Sequence, residues 1–222
     1  MTDFVAARRM MVDGQVRTSD VTDLRLITAM LAIPRERFLP PAQKSFAYFD
    51  LDLPLGAQGE KKLLRYLIKP MVLAKLIQAA DIRDGDHVLD VGCGTGYSTA
   101  LLARLAGAVV ALEEEAALAR QAQENLQALG VANVQVVSGP LADGFPSRAP
   151  YDAILLNGAF EAAPAALLGQ LRDGGRLCGV MRGAVGKAML YRSTGGVVSG
   201  RPIFDAAAPL LPGFAQPPAF VF

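Results

Sequence analysis

The residues best suited to chemistry lie in one short segment, Val88-Leu89-Asp90-Val91-Gly92-Cys93-Gly94-Thr95-Gly96-Tyr97. An apolar run typical of a buried strand leads into glycines at every second position, and a helical pattern follows as far as Leu105. Such glycines let the main chain turn sharply and bring a ligand against bare backbone and the N-terminus of the next helix. The segment therefore predicts a ligand site, whose candidate residues are Asp90, Gly92, Cys93, Gly94, Gly96 and Tyr97.

The glycine spacing argues against two common ligands. A dinucleotide fingerprint, G-x-G-x-x-G, requires its third glycine where Tyr97 stands. A phosphate loop requires G-x-x-x-x-G-K-[ST], whereas the only Gly-Lys pair, Gly186-Lys187, continues with Ala188 and lacks the first glycine. A nicotinamide-dependent oxidoreductase therefore stays only a remote alternative.

Three residues at later predicted strand ends extend the candidate site. Glu113 ends the second predicted strand, where its carboxylate could accept hydrogen bonds from both hydroxyls of a ribose. The alternative for Glu113-Glu114-Glu115 is a solvated start of a helix, which is favourable at the positive helix terminus. Gly139 follows the third strand and Asn157 ends the fourth, both at the edge where sheets of this kind bind ligands.

The elements that position these residues form a repeating pattern from about residue 71. Short apolar runs alternate with helical patterns, which is typical of βαβ units and of a parallel sheet covered on both faces. The predicted strands are His87 to Val91, Val109 to Leu112, Val134 to Val137, Ala153 to Leu156 and Arg176 to Met181. The predicted helices are Ser98 to Ala106, Glu115 to Ala128 and Pro164 to Leu171, the last closed by Asp173-Gly174-Gly175 as a helix stop.

The flanking segments have other patterns. A helix from Thr22 or Asp23 to Ala32 is ended by Pro34 and carries an apolar face at helical spacing, made of Leu24, Ile27, Thr28 and Leu31. Met189–Arg192 and Val197–Phe204 flank a turn and predict an antiparallel hairpin. The tail Pro209–Phe222, rich in proline and aromatic residues, predicts an ordered extended segment.

Composition excludes several classes of partner. The chain has 222 residues, 52% of them hydrophobic, and a net charge of +1, which fits one domain with a small extension and gives no electrostatic signature of nucleic acid or of a membrane surface. Without a signal-peptide pattern or a long apolar run, a cytoplasmic location is expected. Cys93, Cys178 and His87 lack metal-ligand spacing, so we predict no metal site, two buried cysteines and a structural histidine.

Motifs outside the glycine loop resemble those of the protein-L-isoaspartate O-methyltransferase family over nearly the whole chain. Ile33–Pro40, Ala47-Tyr48 and Asp52–Gly56 look like its N-terminal signature, which is more specific than the glycine loop. Leu129–Val134 and Ala149–Ile154 match the approaches to its third and fourth strands.

The resemblance implies a fold and a function. The fold is α/β, a doubly wound, mostly parallel seven-stranded Rossmann-like methyltransferase sheet with a C-terminal β-hairpin and a helical N-terminal extension. Residues 1–70 would be the extension on the substrate side, and residues 71–222 the domain that binds S-adenosyl-L-methionine. The enzyme would esterify the carboxylate of L-isoaspartyl residues in damaged proteins, so its partner is a protein or peptide carboxylate; a homodimer is left open. Carried over, Asp90, Gly92, Gly94, Gly96 and Glu113 contact or shape the cofactor site.

Two positions depart from the family pattern. The family's Thr-Ile-Ser-Gln-Pro segment aligns with Tyr66-Leu67-Ile68-Lys69-Pro70, so Ile68 replaces the serine associated with catalysis and the catalytic residue is unknown. The family's Gly-Asp-Gly element aligns with Gly139-Pro140, and Asp143 is a partial substitute for its acid. These losses motivate a second hypothesis, a binding or regulatory homologue without catalysis, or a methyltransferase with a different acceptor.

The segment Glu60–Lys69 has Leu63, Leu64, Leu67 and Ile68 at helical spacing with cations between them. One interpretation is an amphipathic surface helix or a subunit contact. The other is a remodelled substrate mouth in which Arg65 or Lys69 binds a carboxylate. The sequence leaves both open.

Overall fold

The computed structural model describes residues 3–56 and 65–216. Its α-helices are α1 (Phe4–Met11), α2 (Leu24–Ala32), α3 (Pro70–Ala79), α4 (Tyr97–Ala103), α5 (Ala116–Ala128) and α6 (Ala165–Leu168). Its strands are β1 (Leu53–Pro54), β2 (Tyr66–Leu67), β3 (His87–Val91), β4 (Ala108–Glu113), β5 (Val134–Ser138), β6 (Tyr151–Phe160), β7 (Leu171–Met181), β8 (Lys187–Thr194) and β9 (Val197–Asp205). Shorter helical turns are Val12–Val16, Arg17–Ser19, Arg35–Phe38, Pro41–Phe46, Leu141–Asp143 and Pro146–Arg148.

The main sheet has seven strands in the order β5-β4-β3-β6-β7-β8-β9. The pairs from β5 to β7 are parallel, whereas β8 and β9 are antiparallel to their neighbours. Chain order reverses between β3 and β6, so the carboxyl ends of β3, β4 and β6 surround the point where open α/β sheets bind ligands. The predicted doubly wound, mostly parallel sheet with a C-terminal hairpin is confirmed.

The apolar strand patterns predict the centre of the sheet well. β3 has the predicted bounds, and β4 and β5 extend the predicted strands by one or two residues. The central strands β3 and β4 are buried along nearly their whole length because helices cover both faces. The helix after the glycine loop begins at Tyr97 and ends at Ala103, three residues before its predicted end.

The helix predicted over Pro164–Leu171 is wrong in length. Only Ala165–Leu168 is helical, and Asp173-Gly174-Gly175 lies inside β7 instead of stopping a helix. Gly174 has a φ of 78°, and the register of β6 against β7 shifts between Tyr151 and Ala153. The glycines therefore form an irregularity in a strand, which the sequence pattern does not distinguish from a helix stop.

Helix α2 begins after Asp23, whose side chain caps the backbone N–H groups of Arg25 and Leu26. The face predicted for it is wrong. Leu26, Ile27 and Met30 are buried, whereas Leu24 is 69% exposed. The buried face is therefore displaced from the predicted one, and only Ile27 belongs to both.

The N-terminal part of the chain shares a hydrophobic core with the sheet. Leu26, Phe38 and Leu53 belong to the same buried cluster as Tyr97 of α4 and Leu155 of β6. The side chains of the N-terminal segment therefore pack directly on the domain that carries the glycine loop.

A second, two-stranded sheet lies beside the glycine loop. Antiparallel β1 and β2 pair Leu53 with Leu67 and Pro54 with Tyr66, and the N–H of Leu55 donates to the carbonyl of Arg65 at 2.8 Å. The helix interpretation of residues 60–69 is thus wrong for Tyr66-Leu67, while its part over 60–64 lies outside the described residues.

The predicted hairpin and tail are present where the structure describes them. β8 and β9 are joined by a two-residue turn at Gly195-Gly196. In the tail, the N–H of Leu211 donates to the carbonyl of Ala159 at 2.9 Å, which fixes an extended segment on β6. Residues 217–222 of the predicted tail lie outside the described range.

Candidate functional site

The glycine loop is anchored to the end of the neighbouring strand. The N–H groups of Gly92 and Cys93 donate to the carbonyl of Leu112 at 2.8 and 3.1 Å. Gly92, Gly94 and Gly96 have φ values of 72°, 57° and 97°, a region that side chains rarely adopt. The loop conformation therefore requires glycine at these three positions.

Asp90, in β3 just before the glycine loop, holds the loop in place. Its carboxylate is fully buried and accepts hydrogen bonds from the hydroxyls of Ser98 and Thr99 at 2.8 and 2.6 Å, and from the amide of Asn157 at 2.5 Å. Burial raises the pKa of Asp90 to about 6, although the three hydrogen bonds oppose that shift. The predicted residues Asp90 and Asn157 are therefore brought together across β3 and β6.

Glu113 lies at the carboxyl end of β4 and is fully buried. Its Oε2 accepts the N–H of Gly94 at 2.8 Å, and its Oε1 accepts the N–H groups of Glu114 and Glu115 at 3.0 and 3.2 Å. The alternative of a solvated helix start is therefore wrong for Glu113. The carboxylate joins the glycine loop to the start of the segment before α5.

Arg65 is the cation that compensates this buried carboxylate. Its Nε lies 3.2 and 3.4 Å from the two carboxylate oxygens of Glu113, and one terminal nitrogen lies 3.2 Å from Oε2. The same nitrogen donates to the carbonyl of Gly92 at 2.7 Å, and the side chain is only 4% exposed. Arg65 thus binds a carboxylate of this chain, whereas the interpretation as a substrate mouth placed Arg65 or Lys69 against a carboxylate of the substrate.

Two leucines complete the surface above the glycine loop. A Cβ added to Gly94 would lie 2.5 Å from Cδ1 of Leu55, and one added to Gly92 would lie 3.1 Å from Cδ2 of Leu211. Arg65, Leu55 and Leu211 together therefore cover the loop, and we call these three side chains the cover. Local sequence patterns do not predict that Leu55 and Leu211 reach the loop, because the first lies well before β3 and the second lies in the tail after β9.

The remaining candidate residues have distinct surroundings. Gly139 donates its N–H to the carbonyl of Glu113 at 3.3 Å, so it lies beside the residue predicted to bind the ribose. The next residue, Pro140, is exposed. Cys93 is 3% exposed, and burial raises the pKa of its thiol well above the ordinary value. Gly96 lies against helix α5, where an added Cβ would be 3.3 Å from Cβ of Ala122.

Tyr97 points toward the N-terminal segment. Its ring lies 5.4 Å from the ring of Phe38 in an edge contact, and the guanidinium of Arg35 lies 4.9 Å from its centroid. The side chain is fully buried. These contacts make Tyr97 an anchor between α4 and the N-terminal segment.

Ile68, at the position of the family's serine, is a core residue. It is 2% exposed and belongs to the main hydrophobic cluster. Its carbonyl accepts a hydrogen bond at 2.8 Å from the buried guanidinium of Arg35, which also binds the carbonyl of Ala47. The backbone at Ile68 is therefore firmly held, and its side chain contributes packing.

Within residues 3–56 and 65–216, no three His, Cys, Asp or Glu side chains are grouped as metal ligands would be. Over the same ranges no helix combines the length and the apolar character needed to cross a bilayer. Both cysteines are buried and free, as predicted.

The open parallel sheet, the glycine loop and the acidic residue at neighbouring carboxyl ends define the class of S-adenosylmethionine-dependent methyltransferases. Residues 7–192 match the family model described as protein-L-isoaspartate(D-aspartate) O-methyltransferase (PCMT). The chain therefore belongs to this family. The predicted family, fold and enzyme class are confirmed, and the predicted cofactor is the one that the family uses.

Individual relatives agree with the family model. Protein-L-isoaspartate O-methyltransferase 1 of Rhodopseudomonas palustris is 40% identical over 176 residues, which are 79% of this chain and 69% of that protein. Protein-L-isoaspartate O-methyltransferase 2 of Anaeromyxobacter is 42% identical over 170 residues, 77% of this chain and 68% of that protein.

Solved structures show the same fold. A protein-L-isoaspartate O-methyltransferase superposes with a TM-score of 0.80 at 26% identity, over 93% of this chain and 66% of that one. The Plasmodium falciparum relative, in complex with S-adenosyl-L-homocysteine, has a TM-score of 0.74 at 17% identity, over 95% of this chain and 99% of that one.

Glu113 and the glycine loop carry the hydrogen-bonding groups that an adenosyl cofactor needs. Glu113 offers two carboxylate oxygens at a strand end, as recognition of two ribose hydroxyls requires, and the loop offers bare backbone. The space above that backbone is held by Arg65, Leu55 and Leu211. We call Glu113 and the glycine loop the cradle; a ligand could reach it only after these three side chains have moved.

Proposed function

We propose that this chain is an S-adenosylmethionine-dependent O-methyltransferase that esterifies the carboxylate of L-isoaspartyl residues in proteins or peptides. The observation that supports it most is the position of Glu113, buried at the end of β4 and bonded to the N–H of Gly94 in the loop. Family membership supplies the reaction class. A cytoplasmic location is part of the same proposal.

Each cradle residue has a role in this proposal. Glu113 accepts hydrogen bonds from the ribose hydroxyls, and Gly92, Gly94 and Gly96 let the ligand approach the backbone. Asp90 and Asn157 hold the loop rather than the ligand, since their side chains bond to each other. When bound, the cofactor supplies a methyl group on a positively charged sulfonium.

Little acid–base chemistry is needed for such a transfer. A carboxylate is already ionised at neutral pH, so the protein must align it with the methyl group and exclude water. The absent hydroxyl at Ile68 is therefore compatible with catalysis. We assign acceptor binding to the side of the N-terminal residues 1–70, because that segment packs beside the loop through Phe38 and Leu55.

Calorimetric titration with S-adenosyl-L-homocysteine tests the cofactor site. One-site binding is expected for the unmodified chain, weaker than for a variant with the cover opened because the cover has to be displaced. No binding at millimolar ligand, by the wild type or by a variant with the cover opened, would contradict a methyltransferase function.

Methyl transfer tests the acceptor. We expect label from S-adenosylmethionine to reach an isoaspartyl peptide and not the matched aspartyl peptide of the same sequence. Cofactor binding with no label on either peptide would leave the fold and the pocket in place and would reject isoaspartyl repair.

A further inference from the structure

We infer that Arg65 is an internal competitor of the cofactor: its guanidinium occupies the ribose-binding side of Glu113, and cofactor binding requires this ion pair to open. The inference rests on the proposed function, because it concerns the same pocket. It assigns to Arg65 control of cofactor affinity.

The carboxylate of Glu113 has a limited capacity to accept hydrogen bonds. A carboxylate offers about four lone-pair positions. The N–H groups of Gly94, Glu114 and Glu115 use three of them, and two nitrogens of Arg65 approach the two oxygens at 3.2–3.4 Å. Arg65 therefore occupies the capacity that the three N–H groups leave, and a ribose hydroxyl can bind this carboxylate only where Arg65 leaves.

Arg65 also lies against the backbone of the loop. The guanidinium that pairs with Glu113 also donates to the carbonyl of Gly92, so it bridges the ends of β3 and β4. It lies so close above Gly92 that it would clash with an added Cβ. Arg65 thus fills the space next to the bare backbone that the glycine provides for a ligand.

Few contacts outside the cradle hold Arg65 in place. In the described part of the chain, the hydrogen-bond acceptors of its guanidinium are Glu113 and Gly92, both in the cradle. Its backbone is tied by the N–H of Leu55 and by the two residue pairs of β1 and β2. So short a ladder costs far less to open than a strand of the main sheet.

Burial explains why such a competitor stabilises the free enzyme. An ionised carboxylate removed from water is costly unless it is paired. Arg65 pairs with Glu113 in the free enzyme. When the cofactor binds, its ribose replaces the hydrogen bonds that Arg65 made to this carboxylate. The apparent affinity for cofactor is reduced by the fraction of molecules in which the pair is closed.

The test compares Arg65→Ala with the wild type by calorimetric titration with S-adenosyl-L-homocysteine, with Arg65→Lys as an intermediate that keeps the charge. We expect Arg65→Ala to bind about tenfold tighter or more, since charge-assisted hydrogen bonds no longer have to be broken. Arg65→Lys should gain less. Arg83→Ala, which removes an exposed cation, should leave the affinity unchanged.

Thermal unfolding gives a second readout that separates competition from a general structural role. Arg65→Ala should melt below the wild type without ligand, because Glu113 loses its cation, and saturating S-adenosyl-L-homocysteine should narrow that gap. A gap that stays the same with ligand would overturn the competitor role. If Arg65→Ala does not fold, Arg65→Lys carries the same comparison.

The outcomes distinguish this inference from the proposed function. Equal affinity of wild type and Arg65→Ala, or weaker binding by the variant, would overturn the inference and leave the methyltransferase pocket in place. Binding by Arg65→Ala but not by the wild type would support it in its strongest form. Binding by neither would reject the proposed function, and the inference with it.

Discussion

Two buried arginine–carboxylate pairs lie at opposite edges of the main sheet. Arg176 pairs with Asp86 at 2.6 Å beside the amino ends of β3 and β6, and it also bonds the carbonyls of Ala80, Asp81 and Asp152. At the carboxyl edge Arg65 pairs with Glu113, and Gly92 supplies the other acceptor described for it. The first arginine is held by three backbone carbonyls from two segments of the chain, whereas the acceptors described for the second are Glu113 and Gly92.

The difference shows how one type of interaction serves two purposes. At the amino edge every partner is part of the permanent fold, so the pair can only stabilise. At the carboxyl edge, where open α/β sheets bind ligands, the pair covers groups that a ligand needs. We therefore expect substitutions at the first pair to change stability alone, and those at the second to change cofactor affinity.

The largest effect on stability is expected for Arg176→Ala. Removing one partner leaves Asp86 buried without its cation, which costs about 3–5 kcal/mol of unfolding free energy. Urea unfolding measures this loss, and the affinity for S-adenosyl-L-homocysteine should not change in the folded fraction. A clear gain in affinity would show that the two edges are coupled.

Asp90 lies at the carboxyl edge, and its hydrogen-bond donors among the described residues are the neutral side chains of Ser98, Thr99 and Asn157, so its stability contribution should respond to pH. Its pKa is raised from 3.8 to about 6 in the folded state. The folded state therefore binds the proton more tightly, and the associated stability, fully present below about pH 4, is lost as the pH rises through about 6. Relative to Asp90→Asn, the wild type should lose about 3 kcal/mol over this window.

Urea unfolding of wild type and Asp90→Asn at several pH values gives that difference in unfolding free energy. The contributions of the other titrating groups are the same in both proteins and cancel. Parallel stability curves for the two proteins would mean that Asp90 is not perturbed in this way.

In the Arg65→Ala background, where no ion pair competes, Glu113→Gln should weaken binding of S-adenosyl-L-homocysteine by about 10²-fold, since hydrogen bonds to a charged acceptor are replaced by weaker ones. Asp86→Asn is the matched control: it removes the same charge from the other pair and should leave the affinity unchanged. Equal losses in both variants would remove the distinction between the two edges.

The smallest effect concerns Ile68. Ile68→Val and Ile68→Thr have nearly the same shape, but the threonine buries a hydroxyl in the hydrophobic cluster. We expect Ile68→Thr to be less stable than Ile68→Val by about 1–2 kcal/mol. Equal stability of the two variants would instead place this side chain on an open, hydrated surface.

The sequence predicts the centre of the fold because local pattern decides it. His87–Val91 is an apolar run before a glycine loop, and it forms β3 with those bounds. The position of Glu113 follows from the next strand, since parallel strands end at the same edge. Asp90 and Asn157 were both identified, and their mutual hydrogen bond results from the adjacency of β3 and β6.

Other features depend on contacts that a local pattern does not contain. Asp173-Gly174-Gly175 is compatible with a helix stop or with an irregular strand, and pairing with β6 decides for the strand. Arg65 lies 48 residues before Glu113, so only the tertiary structure shows which carboxylate it binds. Leu211 reaches the loop because the tail returns along β6.

The most direct test of the exchange at Glu113 is a crystal structure of the wild-type chain grown with S-adenosyl-L-homocysteine. We expect a ribose hydroxyl within hydrogen-bond distance of the Glu113 carboxylate, with the Arg65 guanidinium withdrawn from Glu113 and from the carbonyl of Gly92. A bound ligand with Arg65 still paired to Glu113 would contradict it.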